Sequence, residues 1–366
     1  RDTVQFLQEN VTKKMQFDNT YYQQDWYLSV VNMYSILPVW DVSLSVDFQY
    51  NKLNAVMRGV GTPFTFPQRY TTWAALATAL NLGKWKLQAD VLGTFVIEKV
   101  RNNVQAPDKS ELSPAFIVGY KPFCNHDFNL RAFYKRIFRL PTFNDLYYAQ
   151  IGFSQLNPEF TDQFNIGGSY QKTFKKGFID RISVQADIYY AAITDKIIAA
   201  PTGSSFRWMM TNMGKVESKG VDVSAAVFGH AGPVRMNANL SYSFAKAQDF
   251  TKINGKKLSS YGDQIPYTPW HSGSVIAGVE YGTWTLNYSF IYVGERYNGA
   301  VNNIPRNYVE PWYTHDFSLQ KEFRIRSRYL LKTSVEMNNA LNQYYDVVLN
   351  YPMPGRNFRF IVSLSL

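Results

Sequence analysis

The chain has little of what several large protein classes need. A single cysteine, Cys124, among 366 residues excludes an internal disulfide framework. The longest apolar runs, such as Ala74–Leu80, are far shorter than the roughly 18 residues that a membrane-spanning helix needs. The mean hydropathy is slightly negative, which also argues against a helical membrane protein. The start at Arg1 has no methionine and no signal-peptide character, so we expect a mature, truncated or cleaved chain.

The usual sequence signatures of catalysis and of metal binding are also missing. The four histidines are scattered, and none has metal-ligand spacing. Neither a phosphate-binding loop nor a nucleophile elbow occurs in the sequence. The formal net charge of +10 is spread along the chain rather than gathered in a basic run, which disfavours a nucleic acid partner. We therefore expect a protein that is not an enzyme and needs neither a cofactor nor a metal.

What the chain has in abundance is alternation of apolar and polar residues. Aromatic residues make up 16% of the sequence, and many occupy every second position of strand-like segments. A period of two predicts a strand with one apolar face and one polar face. The clearest segments are 40–50, 85–97, 234–244, 284–292 and 357–366.

The length of these segments and of their connections indicates where the apolar face lies. We count about fifteen strands, most of them near the roughly 9–11 residues of a transmembrane strand, with aromatic residues at the ends of the apolar stripes. Short connections, such as 324–327, and long ones, such as 198–215, alternate along the chain, so that all long loops fall on one side. The large soluble β-sandwich that could also bury such stripes predicts shorter strands and mixed loop lengths. The pattern therefore predicts an all-β fold, a transmembrane antiparallel β-barrel in a bacterial outer membrane.

The number of strands counted backwards from Leu366 predicts where the N-terminal residues lie. Outer-membrane barrels have even strand numbers and both termini in the periplasm, which makes each long loop extracellular and residues 1–20 an extracellular loop. About fifteen strands cannot complete such a barrel, so we expect residues 1–366 to be the C-terminal part of a larger one. The alternative is that Thr3–Gln8 forms a sixteenth strand and that the chain is a passive 16-stranded porin.

Four segments resemble the C-terminal half of TonB-dependent outer-membrane receptors. The first, Arg136–Tyr170, carries the family's basic residue, proline and Leu-Tyr pair, followed by Leu-x-Pro-Glu. The second, Asn212–Val227, is similar to an Asn-x-Gly strand entry, with Asp222 where the family usually has glutamate. The third and fourth are Gln264–Val275 and the ending from Asn338, which closes on Leu366 instead of the usual aromatic residue.

The resemblance implies a 22-stranded barrel with an N-terminal plug domain. The plug and about seven strands would come from another chain or from a segment that is not in this sequence. The implied function is uptake of a scarce, large nutrient, driven by a TonB-type energy-coupling protein. The motifs resemble those of cobalamin and iron-chelate receptors; cobalamin is favoured, with haem or a siderophore close behind. Other implied partners are a surface lipoprotein and outer-membrane lipid or lipopolysaccharide, and a barrel that mainly docks a lipoprotein is a further alternative.

Two sets of residues are candidates for the function. Aromatic side chains beside an arginine on the extracellular loops would suit a large, partly planar ligand through stacking and hydrogen bonding. These loop candidates are Arg139, Phe143, Tyr147, Tyr148, Phe153, Trp208, Tyr297 and Tyr308. Charged residues on the polar face would project into the lumen, where they would pair with a plug or set ion selectivity. These lumen candidates are Asp47, Arg131, Lys135, Asp187, Asp222, Arg235 and Arg359.

Overall fold

The structure is a computed structural model, which describes residues 2–8, 11–58, 64–148, 151–201, 208–325 and 329–365. The first ten strands are β1 (Asp2–Gln8), β2 (Val11–Leu37), β3 (Trp40–Arg58), β4 (Gln68–Leu82), β5 (Trp85–Lys99), β6 (Lys109–Tyr120), β7 (Asp127–Arg139), β8 (Glu159–Thr173), β9 (Ile179–Pro201) and β10 (Trp208–Ala231). The others are β11 (Val234–Asp249), β12 (Lys252–Ile253), β13 (Lys256–Lys257), β14 (His271–Tyr281), β15 (Trp284–Val293), β16 (Arg296–Tyr297), β17 (Tyr308–Val309), β18 (Trp312–Ile325), β19 (Tyr329–Asn338), β20 (Asp346–Val348), β21 (Tyr351–Pro352) and β22 (Asn357–Ser365).

Sixteen of these strands form one sheet. Its order follows the chain from β1 to β11 and continues with β14, β15, β18, β19 and β22. The neighbours with a described register pair antiparallel, as strands joined by hairpin turns do. The six remaining short strands form three hairpins within long connections: β12 with β13, β16 with β17, and β20 with β21.

The turns at one end of the strands are tight, and glycine makes two of them possible. Gly83 joins β4 to β5 with φ of 64°, and Gly282 joins β14 to β15 with φ of 59°. Residues with a side chain rarely adopt this backbone conformation, which two-residue hairpin turns need. The predicted turn at 324–327 lies partly outside the described residues.

The strand count agrees with the predicted number of about fifteen, and two predicted loops are corrected. The sixteenth strand of the main sheet is β1, close to the segment Thr3–Gln8 that was the alternative prediction; it pairs with β2 from Asp2 opposite Phe17 to Gln8 opposite Val11. Residues 1–20, predicted as a loop, instead contain β1 and the first part of β2. The predicted long loop at 198–215 is mostly strand, because β9 continues to Pro201 and β10 begins at Trp208. The apolar pattern is weak in residues 1–20 and 198–215, which is why both were predicted mainly as loops.

The chain divides into two compact units. The first comprises Arg1–Val118, Tyr134–Asp162 and Ile193–Gly214, and the second comprises Gly119–Phe133, Gln163–Ala192 and Lys215–Leu366. In the first unit a cluster of buried apolar residues joins the ends of β3 and β9 to the loops around Phe64, Ala106 and Phe143. We call this group the loop core; it consists of Leu53, Phe64, Ala106, Phe143, Leu146, Tyr147, Leu156 and Ile197.

In the second unit the sheet has the two faces that the alternation predicts. Leu240 lies opposite Val275, and Leu286 lies opposite Leu319; all four belong to the apolar face. The intervening residues, such as Ser241 opposite Ser274, belong to the polar face, and their hydroxyl groups are 2.7 Å apart. Large apolar side chains such as Leu240 and Leu286 stay exposed, 45% and 47% respectively. An apolar face left exposed over many strands is typical of a surface that meets lipid.

Candidate functional site

A single-turn helix organises the longest aromatic loop of the first unit. This helix, α1, covers Phe143–Tyr147 and follows Pro141, which cannot continue the ladder of β7. Thr142 caps it: the hydroxyl of Thr142 accepts a hydrogen bond from the amide of Asp145, whose carboxylate accepts one from the amide of Thr142. This capping box satisfies amide groups that a short helix leaves without intrahelical partners. Sequence analysis predicted only a loop here.

Arg139 ends β7 and holds the two sides of this loop together. Its guanidinium lies 3.3 Å from a carboxylate oxygen of Glu159 and 3.6 Å from one of Asp145. The same Glu159 oxygen accepts a hydrogen bond from the amide of Ile197. Arg139 was predicted as a ligand-binding residue; the structure gives it two carboxylate partners within the protein.

The predicted aromatic residues of this loop divide into buried and exposed ones. Phe143 and Tyr147 are buried in the loop core, and the Tyr147 hydroxyl accepts a hydrogen bond from the amide of Ala106. Burial raises the pKa of the Tyr147 hydroxyl. Tyr148 and Phe153 are 42% and 46% exposed, and Tyr148 stacks on Tyr21 with ring centroids 5.5 Å apart.

These exposed rings line a cavity of about 260 Å³. Its wall brings together Tyr147, Tyr148 and Phe153 with Phe64 and Val104. Aromatic and aliphatic walls with a few polar groups are typical of small-molecule sites. The structure therefore brings three predicted residues of this loop to one cavity, with Phe143 in the core beneath them.

A second aromatic cavity lies in the second unit. Tyr297 and Tyr308 are direct partners across β16 and β17, and their rings meet edge to face with centroids 6.2 Å apart. Tyr308 also lines a cavity of about 320 Å³ together with Tyr344 and Tyr345. Tyr345 stacks on Trp312 with ring centroids 4.5 Å apart. Burial raises the pKa of both Tyr308 and Tyr345.

A buried arginine fixes the loops around this second cavity. Arg296 is 3% exposed, and its guanidinium donates hydrogen bonds to the backbone carbonyls of Glu310, Asp346 and Val347. These bonds tie the connection before β18 to the connection before β22. Burial lowers the pKa of Arg296. Sequence analysis did not single out Arg296, since nothing in its sequence neighbourhood shows that it is buried.

The lumen candidates of the second unit lie on the polar face as ion pairs or hydrogen-bonded groups. Arg235 pairs with Glu280 at 2.8 Å, and Arg359 pairs with Glu336 at 2.5 Å. Asp222 accepts a hydrogen bond from the Ser243 hydroxyl at 2.5 Å. The Arg235 and Arg359 side chains remain 75% and 64% exposed, so both guanidinium groups keep a surface open to a further partner.

Arg131 and Asp187 form the most buried of these pairs. A guanidinium nitrogen of Arg131 lies 2.6 Å from one Asp187 oxygen, and the Gln185 amide donates to the other at 2.7 Å. Gly167 makes room for this group, because a Cβ there would lie 2.0 Å from the Asp187 carboxylate. This close approach explains why glycine interrupts β8.

For the last three lumen and loop candidates the structure describes little beyond their position and burial. Asp47 in β3 is half-buried, on the face opposite Val46 and Phe48, and its Oδ1 has no hydrogen-bond partner among the described residues. Lys135 in β7 is half-buried. Trp208 begins β10, and its side chain lies outside the described part of the structure. Their predicted roles stay predictions.

A buried ion pair that the sequence pattern does not predict lies beside the loop core. Arg69 and Glu98 are direct partners across β4 and β5, 2.5 Å apart, with only 11% and 2% of their side chains exposed. Arg69 also donates to the carbonyl of Pro141 at 2.9 Å and lies 5.0 Å from the centre of the Phe143 ring. Only the strand register shows this pairing, because the two residues are 29 positions apart.

The described part of the chain has neither a metal-binding cluster nor a membrane-spanning helix. Among the described residues, no group of three or more histidine, cysteine, aspartate or glutamate side chains is placed to hold a metal ion. None of the described helices is long and apolar enough to cross a membrane.

Comparison with known proteins places this architecture in a family. Residues 2–340 match the family model described as TonB dependent receptor-like, beta-barrel. The Vitamin B12 transporter BtuB of Vibrio vulnificus (strain YJ016) is 28% identical over 88 residues, which is 24% of this chain and 13% of that protein.

Solved structures show the same fold at low sequence identity. The ferric citrate transporter FecA in its unliganded form superposes with a TM-score of 0.69 at 14% identity, covering 99% of this chain and 56% of that one. The copper transporter OprC gives a TM-score of 0.70 at 15% identity, covering 94% and 57%. A double mutant of the Serratia marcescens hemophore receptor HasR, in complex with its hemophore HasA and heme, gives 0.66 at 14%, covering 96% and 60%.

The chain thus spans little more than half the length of these solved proteins and a smaller part of BtuB. The family match covers nearly the whole chain, and it agrees with the long antiparallel strands and the exposed apolar face. The chain therefore belongs to the TonB-dependent receptor β-barrel family, whose members are transporters and receptors of the bacterial outer membrane rather than enzymes.

Proposed function

We propose that the protein carrying this chain takes up a scarce, large nutrient across the outer membrane by TonB-dependent active transport. The observation that carries this proposal is the family match over residues 2–340. The chain would form the C-terminal part of the barrel. The plug domain and the remaining strands would come from elsewhere in the protein or from a second chain. A TonB-type protein would supply energy by pulling on the plug.

The long loops would make the first contact with the ligand. Tyr148 and Phe153 present exposed rings at the 260 Å³ cavity, and Tyr344 does so beside the half-buried Tyr308 at the 320 Å³ cavity. Aromatic faces bind planar, conjugated ligands by stacking and lose little conformational entropy in doing so. Arg139 and Arg296 would support these cavities through the loop contacts described above rather than by touching the ligand.

The polar face would line the transport path and seat the plug. The half-exposed Arg131 and the more exposed Arg235 and Arg359 keep donors that an acidic group of a plug can reach. Because each already has a carboxylate partner, such contacts would exchange or share ion pairs rather than bury a lone charge. A plug could then move without leaving an uncompensated charge on the wall.

Cobalamin is the favoured ligand, with haem or a siderophore close behind. The match to a vitamin B12 transporter supports cobalamin. The solved neighbours include transporters of ferric citrate and copper as well as a heme-bound hemophore receptor, which supports the wider range. A surface lipoprotein and outer-membrane lipid or lipopolysaccharide are further proposed partners.

Growth and binding together test the ligand assignment. Deletion of the gene should abolish growth on limiting cobalamin, or on limiting haem, and the full-length gene should restore it. In the purified full-length protein, the substitution of both Tyr148 and Phe153 by alanine should weaken binding of that ligand about tenfold, since two stacking contacts are lost. Phe123→Ala, an equally exposed ring in the short connection between β6 and β7, is the matched control. Normal growth of the deletion strain on both nutrients would remove both ligands from consideration.

A further inference from the structure

A lysine-rich hairpin stands in the connection between β11 and β14. Its strands, β12 and β13, are joined by Asn254 and Gly255, with φ of 51° and 77°. A two-residue turn with both φ values positive fixes the register of a hairpin tightly. The register places Lys252 directly opposite Lys257, and Ile253 opposite Lys256. We call residues 252–257 the lysine hairpin.

Two like charges in direct opposition destabilise a hairpin. In the described part of the chain, no carboxylate forms an ion pair with Lys252, Lys256 or Lys257, and all three are exposed. The neighbouring acidic groups are engaged within the loop. Asp249, 1% exposed, accepts hydrogen bonds from the Thr251 amide and the Ser260 hydroxyl, and Asp263 accepts one from the Asn302 amide.

The ammonium groups of the two opposed lysines both lie near the ring of one tyrosine. The ammonium groups of Lys257 and Lys252 lie 4.3 Å and 5.9 Å from the centroid of Tyr261. Phe250 meets this ring edge to face, with centroids 5.3 Å apart, and so fixes its position. Cation–π attraction to one ring compensates only a small part of the repulsion between two ammonium groups. Lys256 points to the other face of the hairpin and does not join them.

Hydrogen bonds within the protein hold the base of the lysine hairpin in place. Gln264 is fully buried; its side chain donates to the carbonyls of Ala245 and Thr268 and accepts from the amide of Ala247. Its backbone exchanges hydrogen bonds with the Asn302 side chain at 2.6 Å and 3.0 Å. A site that is ordered in advance loses less entropy on binding. The fold thus holds both lysine side chains near one ring before a ligand binds.

We propose that Lys252, Lys257 and Tyr261 form an anion clamp that captures a multivalent oxyanion group, phosphate or carboxylate, of a soluble ligand. The proposal rests on the proposed uptake function and deepens it, because it makes the imported ligand or its carrier anionic. An oxyanion between the two ammonium groups converts their repulsion into two charge-assisted hydrogen bonds. The ring of Tyr261 leaves one side of each ammonium group in contact with the protein while the other side meets the anion.

Inorganic pyrophosphate is the probe for this clamp. Calorimetric titration of the native, full-length protein in neutral detergent at low salt should detect binding that weakens as salt is added. Lys252→Gln together with Lys257→Gln should weaken it at least about tenfold, the loss expected for two charge-assisted contacts. Both substitutions relieve repulsion, so the hairpin should remain folded. Lys256→Gln, in the same hairpin but on its other face, should change the affinity less than about twofold.

Three results would overturn the proposal. They are no pyrophosphate binding by the unaltered protein, equal binding by the double variant, and equal weakening by the Lys256 variant. A second arm repeats the titration in nanodiscs with and without phosphate-bearing lipid; binding of only the lipid phosphate would reassign the clamp to the membrane surface. Nutrient uptake does not enter these titrations. A protein that takes up its nutrient but lacks the clamp would therefore refute this inference and leave the proposed function in place.

Discussion

At the scale of single residues, the loops are held by buried charges that have few, well-placed partners. Arg69 meets Glu98 in an almost fully buried pair, and Arg296 satisfies its donors with three backbone carbonyls. Removal of one partner from a buried pair is costly because the other charge is left uncompensated, whereas replacing both by apolar residues often costs little. These residues therefore order the loops that we propose to bind the ligand.

The pair Arg69–Glu98 gives a quantitative prediction. Glu98→Gln should destabilise the loop above it by about 3 kcal/mol, because the Arg69 charge remains buried without a counter-charge. Hydrogen exchange of the amides at 142–148 in the full-length protein measures this as faster local opening. The double substitution of Arg69 by methionine and Glu98 by leucine should restore most of the protection. Glu310→Gln, at an exposed position, is the control. Unchanged exchange in Glu98→Gln would show that the pair does not order the loop.

At the scale of elements, the alternation of the strands determines which side chains meet lipid. Leu240 and Asn239 are neighbours in β11, yet their side chains lie on opposite faces of the sheet, and β14 extends both faces. The direct cross-strand partners of Leu240 are Ala225 and Val275, whose side chains have no polar group that could satisfy a charge. The face of Asn239 continues with hydroxyl, amide and paired charged groups.

A matched pair of substitutions tests this assignment of faces. Leu240→Arg should destabilise the membrane-inserted protein by about 2–4 kcal/mol, the range for arginine on the lipid face near the middle of the bilayer. Asn239→Arg should cost less than about 1 kcal/mol, because its side chain stays in the polar environment. The folded fraction in bilayers can be followed across a urea series for both variants. Equal losses would contradict the two-faced description of the sheet.

Much of this element-level organisation could be predicted from the sequence. A period of two is a strong local signal, and segments such as 85–97 and 284–292 became strands with the predicted faces. The strand β1 has only a brief alternation, so the sequence offered it as an alternative, and the end of β9 beyond residue 198 has too weak an apolar pattern to be predicted. The helix α1 could have been found from Thr142 and Asp145, which form the capping box three residues apart. The lysine hairpin could also have been predicted from the sequence, because Asn254–Gly255 is a typical two-residue hairpin turn.

The sites were less predictable than the sheet, for a physical reason. The composition of a loop shows that aromatic residues are present but not which of them turn inward. Phe143 and Tyr147 complete the loop core, whereas Tyr148 and Phe153 remain exposed. Arg69–Glu98 and Arg296 depend on register and on contacts between distant loops, which no local pattern encodes. Candidates on the polar face were easier to predict, because strand alternation alone assigns a face to Arg235 and Arg359.

At the scale of the whole molecule, the family and the physical pattern lead to the same description. Long antiparallel strands with an exposed apolar face need a bilayer, and in a bilayer every backbone group must be paired within the protein. The family match agrees with this, because members of the family are receptors and transporters of the bacterial outer membrane. A passive porin would conduct its solute down a gradient, whereas the proposed uptake works against one and depends on coupled energy.

The energy dependence of uptake therefore tests the central claim most directly. Cells that express the full-length protein are given labelled cobalamin, or labelled haem, with and without an uncoupler that collapses the proton-motive force. The proposed mechanism predicts saturable binding at the cell surface in both conditions, but accumulation only in energised cells and only while the TonB-type protein is present. Equal, unsaturable accumulation in uncoupled cells would contradict active transport and indicate a passive pore.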